Sequence, residues 1–359
     1  TGVSALYYNP ANLAEHKGFT FDFPSLNVGV YGLARLQKSM DVFAFIKELV
    51  CGNLDIASMI DKLSKLFQIM NYGVNPFLNI QADVGFTVKG FGFDVFDSVG
   101  MTVYNMSGLT NNTKFVPEFA GGVVIGYGHK FQLSEKATLS FGISQGLVMR
   151  TYVKGFGISD LQELTGGNIF DFLKGRQTAV GLQFPTNIGF TASISDMLKM
   201  SIVYRGLHTG MTVHNYGTLG DWMSSPFKIF KGGQDSHGSA RISETGSLDV
   251  GFGFNPKWKW FNPRVEVDFV NLTKYGKTEY FDYTNFFSHL RIGVEMFLVE
   301  FLRVGVGLNQ GRLNFGATLD LWPLVIDVDY GWYDTTPTLG EAMTDRLSIN
   351  VKLGWDRAK

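Results

Sequence analysis

The sequence predicts an all-β fold, a transmembrane antiparallel β-barrel of about fourteen strands, and three observations carry that prediction. Apolar and polar residues alternate over runs of ten or so residues. Short and long connections alternate between those runs. Glycine (43), phenylalanine (32) and tyrosine (14) are abundant among 359 residues while proline (10) is not. No stretch of about 18 apolar residues occurs, so a helix is not the crossing element.

The alternation is plainest in the C-terminal half. Leu347, Ile349, Val351, Leu353 and Trp355 share one face, and Ser348, Asn350, Lys352 and Gly354 the other. Leu324, Ile326, Val328, Tyr330 and Trp332 oppose Asp327, Asp329 and Gly331, and the apolar set is expected to face lipid. The runs at 312–321, 300–309 and 285–297 repeat the pattern, and 77–89 repeats it with more glycine. Strands are expected near 18–35, 77–89, 91–106, 120–131, 137–153, 177–194, 198–213, 246–255, 259–271, 285–297, 300–309, 312–321, 323–333 and 345–356. Connections after even-numbered strands are short, and those after odd-numbered ones are mostly long, as in outer-membrane barrels. Tryptophans and phenylalanines cluster at the strand ends, where membrane interfaces attract them. A soluble sandwich also alternates. Its solvated face is rich in lysine and glutamate, however, whereas here only 18% of residues are charged.

Net charge is −1, so neither nucleic acid nor a strongly acidic partner is indicated. A single cysteine, Cys51, excludes an intrachain disulfide framework. The chain starts at Thr1 without an apolar leader, which reads as a mature outer-membrane protein with its signal peptide removed. The inward charges are mixed in sign. They comprise Asp249, Arg264, Glu266, Asp268, Arg291, Glu295, Arg303, Arg312, Asp320, Asp327, Asp329 and Lys352. A one-sign ring would indicate an ion-selective pore; mixed charges more often brace a wall or hold a plug. Six histidines lack metal-ligand spacing and no nucleophile triad or phosphate loop stands out, so no enzyme, metal or cofactor is expected.

Two segments do not read as strands. Residues 1–17 are small and turn-forming, and a fourteen-strand lumen is wide enough to take them; the barrel proper is 18–359. The long loop 38–70 carries helical stripes, Val42, Phe45, Ile46 and Leu49, then Ile56, Met59, Ile60, Leu63, Phe67 and Met70. Phe43, Phe45, Met59, Leu63 and Phe67 suit an aliphatic chain, so this loop is a candidate landing site for a hydrophobic small molecule. A short apolar helix is expected at 168–173.

The stretch Ala5-Leu6-Tyr7-Tyr8-Asn9-Pro10-Ala11-Asn12-Leu13 leads into this pattern, and a glycine-rich run, Val306-Gly307-Leu308-Asn309-Gln310-Gly311, lies near its end. With the strand count and the helical first loop, these resemble the FadL/TodX-type transporters of hydrophobic compounds. The resemblance implies an N-terminal hatch inside the barrel, with Leu6, Tyr7, Asn9, Pro10 and Ala11 in it. It also implies passage of long-chain fatty acids or similar molecules and lateral release through an interrupted strand into the membrane lipids. Pro24 and Pro185 interrupt strand-like runs and are candidates for that gap. PorV-type relatives of the family implies another role, docking of a secreted or outer-membrane protein. A departure is the tail Asp356-Arg357-Ala358-Lys359 after Trp355.

Overall fold

The computed structural model describes residues 2–16, 18–37, 41, 44, 60–62, 64–65, 73–105, 113–162, 169–195, 197–225, 239–242, 246–256, 262–274, 285–334 and 343–356. Among them, seventeen ladder segments form one antiparallel sheet. Six of these segments are halves of three interrupted strands, which leaves fourteen strands around the barrel. In chain order they are β1 (Phe19–Tyr31), β2 (Gly73–Val88), β3 (Phe91–Asn105), β4 (Thr113–Ser134) and β5 (Ala137–Val153). Three split strands follow: β6 (Gln177–Gln183 and Thr186–Ile194), β7 (Leu198–Leu207 and Met211–Thr218) and β8 (Ser239–Ile242 and Ser247–Phe254). The last six are β9 (Arg264–Phe269), β10 (Leu290–Val299), β11 (Leu302–Asn309), β12 (Arg312–Leu321), β13 (Leu324–Asp334) and β14 (Met343–Asp356). Pairing of β1 with β14, from Thr20↔Asp356 to Tyr31↔Arg346, closes the ring. Closure matters physically, because an open sheet edge in hydrocarbon would leave backbone groups without partners.

The period-2 pattern sets the two faces. Leu26, Ile125, Phe190, Ile202, Phe315 and Val351 stand exposed on the outside, where lipid covers them. Thr87, Asp94, Ser140, Ser144, Thr191 and Ser193 lie on the inner face and are buried. Short turns close one end. One is the hairpin at Lys89 and Gly90, both at positive φ (46° and 87°), as a two-residue turn between twisted strands requires. The tight turn on the opposite side, at Gln310 and Gly311, also has both residues at positive φ (55° and 70°).

The outward row 324–332 is partly covered at its long-loop end. Val328 is exposed as expected, and Tyr330 is half-buried. Its hydroxyl donates to Asp345 at 3.1 Å, and its ring packs against a buried apolar cluster. Chain from the turn after β1 covers this end: Gly32 N–H and Ala34 N–H donate to the backbone and carboxylate of Asp345.

Candidate functional site

Residues 2–16 lie inside the barrel against β2–β6. A helical turn (α1, Ala5–Tyr8) is followed by a 3-10 turn, Pro10–Glu15. Pro10 suits the first position of such a turn because the missing N–H would have no partner there. Asn9 caps it, accepting from Ala11 N–H at 3.0 Å, and donates to Thr191 Oγ1 at 3.0 Å. Leu6, Ala11 and Leu13 are fully buried, and each leucine so placed contributes about 1.5–3 kcal/mol.

Glycine makes the seat. A Cβ at 142 would lie 2.2 Å from the carbonyl carbon and oxygen of Pro10, and one at 189 would lie 2.1 Å from Asn9 Oδ1. At 126 it would meet Leu6 at 2.6 Å, at 128 Ala14 N at 2.8 Å, and at 92 Leu13 at 2.9 Å. The glycine surplus of the early strands is therefore the imprint of the N-terminal segment on the wall. Polar contacts finish the seat. Glu15 accepts from Lys130 at 2.8 Å and Ser140 at 2.9 Å. Burial alone would raise the Glu15 pKa, but these two donors outweigh it and hold the carboxyl below the usual glutamate range. Tyr7 donates its hydroxyl to Asp94. Burial first, and then the carboxylate, push its phenol far above the usual range, so it stays a neutral donor. Leu6, Tyr7, Asn9, Pro10 and Ala11 are thus brought together.

The two prolines behave differently. At Pro24 the register slips by one residue between Asp22 and Ser25 against both β2 and β14, and pairing resumes at once. Pro24 is a bulge, and the ladder is intact on either side of it. At Pro185 β6 keeps its register with β5, with Gly146 N–H donating to Pro185 O at 2.8 Å. Its ladder with β7 is interrupted instead. Thr186 pairs Leu207, the next matched pair below is Gly181 with Val213, and Phe184–Pro185 and 208–210 belong to neither segment. Positive φ at Gly206 (71°) and His208 (62°) turns β7 away at this point. Side chains satisfy what the ladder no longer does. Gln145 donates to Phe184 O at 3.1 Å, and Gln183 donates to Thr209 O at 2.8 Å. Asn187 ties this seam to the N-terminal segment. Its Nδ2 donates to Leu6 O at 3.1 Å, and its Oδ1 accepts from Gly206 N–H at 2.9 Å.

At the long-loop rim, Val30, Leu33, Phe77, Leu78, Val103, Phe115 and Phe156 form a buried apolar cluster, flanked by Ile60, Ile158, Phe172 and Leu173. Phe77 meets Phe115 edge-on, Phe115 stacks on Phe156, and Phe156 meets Phe172 edge-on. The 168–173 helix is observed as Ile169–Lys174. The candidate ligand residues Phe43, Phe45, Met59, Leu63 and Phe67 lie outside the described residues. Sequence reading missed Phe77, Phe115 and Phe156. The break in alternation at Asn75-Pro76-Phe77-Leu78, a bulge in the β2–β3 ladder, was the signal for the first.

The inner charges are divided. Arg264, Glu266, Glu295, Arg303, Asp327 and Asp329 line a cavity of about 930 Å³, joined by Arg346, which sequence reading also missed. Arg303 pairs with Glu295 at 3.0 Å and Lys352 lies 3.9 Å from Asp22. Asp268 sits opposite Arg291 across the β9–β10 ladder. Arg312 and Asp320 fall at the two ends of β12 and not in the cavity lining. Among the described residues no group of three or more His, Cys, Asp or Glu is placed to hold a metal ion.

No family model matches the sequence, and no curated protein does either. Solved structures do match. A deletion mutant of the TodX monoaromatic hydrocarbon channel aligns over 99% of this chain and 94% of its own at 13% identity, with a TM-score of 0.50. The CymD monoaromatic hydrocarbon channel aligns over 99% and 92% at 11% identity, TM-score 0.47, and a Pseudomonas aeruginosa FadL homologue over 99% and 94% at 10% identity, TM-score 0.46. The chain has the FadL/TodX-type fold, that of an outer-membrane β-barrel.

Proposed function

We propose that this barrel is an outer-membrane transporter of hydrophobic small molecules, long-chain fatty acids or monoaromatic hydrocarbons among them. The ligand is taken up at the long-loop rim, passes the N-terminal segment acting as a hatch, and leaves sideways through the seam between β6 and β7. The observation that carries this reading is the position of the hatch. It is hydrogen-bonded through Asn187 to the edge of an interrupted ladder. A molecule reaching the hatch is therefore next to a part of the wall where fewer backbone bonds must be exchanged before it can open. Lipid tolerates such a place only because Gln145 and Gln183 occupy the carbonyls there. An apolar cargo needs little polar chemistry, since each methylene buried contributes about 0.8 kcal/mol. The structural neighbour named as the TodX monoaromatic hydrocarbon channel supports the same class of cargo.

A PorV-like docking role is the second reading. The exposed rings of Phe286 and Phe287 beside the start of β10 favour it, because a protein partner would cover such a patch.

The lateral route is tested by locking the seam. Thr186 and Leu207 are a cross-strand pair at its edge, and such pairs fall within reach of a disulfide, with Cα atoms about 4.5–5.5 Å apart. A Thr186→Cys, Leu207→Cys variant, with Cys51→Ser, is expected to lose most transfer of a fluorescent fatty acid when oxidised and to regain it on reduction. Equal transfer in both states would remove the seam from the route.

A further inference from the structure

The hatch occupies only one side of the lumen. Its buried residues press on β2–β6, and the opposite wall, β9–β14 with β1, faces the cavity of about 930 Å³. Tyr8, two-thirds exposed, marks the boundary between the two sides.

Three features set this second side apart. First, the cavity follows β11 from Arg303 to Asn309, nearly the whole strand and so most of the height of the wall. Second, its lining carries both charge signs, with Arg264, Arg303 and Arg346 among Glu266, Glu295, Asp327 and Asp329. Arg303 and Glu295 pair directly, and the other charges of this cavity call for water around them, because desolvating each would cost several kcal/mol. Third, two of the five lining glycines play the opposite role from those under the hatch, while Gly307, Gly316 and Gly331 are crowded by Ile292 O, Asp329 and Asn314. A Cβ at Gly293 would meet nothing within 4 Å, and one at Gly305 would meet only Val294 O, at 3.5 Å. Neither glycine has a positive φ. Packing and backbone do not require glycine at these two places, and its effect is to leave the lumen wide.

We propose that the side of the lumen opposite the hatch is a hydrated conduit for small inorganic ions, separate from the apolar route and, with both charge signs on its wall, only weakly selective between them. This inference rests on where the N-terminal segment lies and not on what the barrel transports.

The purified full-length protein in planar bilayers under potassium chloride is expected to show discrete current steps. Gly293→Trp places a large side chain in open space and should cut the unitary conductance by about threefold or more, while fatty-acid transfer stays at the parent level. Asp327→Asn with Asp329→Asn should move the reversal potential toward anion preference. If the tryptophan variant fails to assemble, Gly293→Cys in a Cys51→Ser background keeps the test: a bulky methanethiosulfonate added after insertion, which leaves a mixed disulfide and releases sulfinate, should lower the current, and a reductant that cleaves the disulfide should restore it. A silent parent protein, or currents indifferent to both changes at 293, would overturn the conduit. Parallel loss of current and fatty-acid transfer would also overturn it, by showing one route in place of two. Loss of transfer in the parent with the current intact would instead count against the transporter reading alone.

Discussion

Valine at position 142 is expected to detach the N-terminal segment from the wall. The Cβ would lie 2.2 Å from both the carbonyl carbon and oxygen of Pro10 and 2.3 Å from Ala11 N. All three atoms are backbone, so no rotamer change relieves the clash. Separation by about 1 Å or more is needed to restore ordinary contact, enough to break hydrogen bonds whose strength falls steeply with distance. The bonds at risk are those of Asn9 with Thr191 and of Ser144 with Leu6 O. A segment of this size lost from the lumen should raise bilayer conductance on the order of tenfold, as unplugging a wide barrel does. It should also open residues 5–13 to added protease. Gly100→Ala serves as the control, since the nearest atoms to its Cβ would be 3.9 Å away. Full protease protection in the valine variant would show that the segment can move aside and still stay seated.

The second large effect concerns the outer face. Val328 lies mid-strand, paired with Ala317 and Ile349, and is more than one-third exposed. Arginine there should cost about 2–4 kcal/mol, the penalty for a cation on the lipid face near the bilayer midplane. The neighbouring Asp327 faces the cavity. Asp327→Arg should therefore cost distinctly less, because it changes one charge in a hydrated, mixed set. Denaturant unfolding of the two variants in lipid vesicles gives the comparison. Equal costs would mean that residues 327 and 328 do not face opposite media.

The late strands were legible in sequence because each has lipid on one face and a polar lumen on the other. Two media of opposite polarity impose period 2 on Leu313–Leu321 or Leu324–Trp332 with little noise. The early strands read less cleanly for a reason now visible. Their inner face meets the N-terminal segment and not water, so Gly126, Gly128 and Gly142 stand where polar residues would otherwise be. The run at 177–194 reads as one strand; the structure divides it at Phe184–Pro185. Pro24 and Pro185 are equivalent in sequence, since each removes one donor. What separates them is the neighbouring strand: β2 and β14 follow the bulge at Pro24, whereas β7 turns away at Gly206 and His208. A seam is a relation between two strands far apart in the chain, and hydropathy along one of them does not contain it. The same holds for Asn187, whose link between Leu6 and Gly206 depends on three segments meeting.

The most direct measurement is transfer of an apolar probe by the unmodified protein. Purified barrel is reconstituted into vesicles, a fluorescent long-chain fatty acid or toluene is supplied outside, and its arrival in the bilayer and interior is followed against protein-free vesicles. Transfer faster with protein, saturating with probe, and reduced when Phe45 and Phe67 are changed to serine is the expected result. Rates equal to those of empty vesicles, with the barrel folded and inserted, would contradict hydrophobic transport and favour a docking protein.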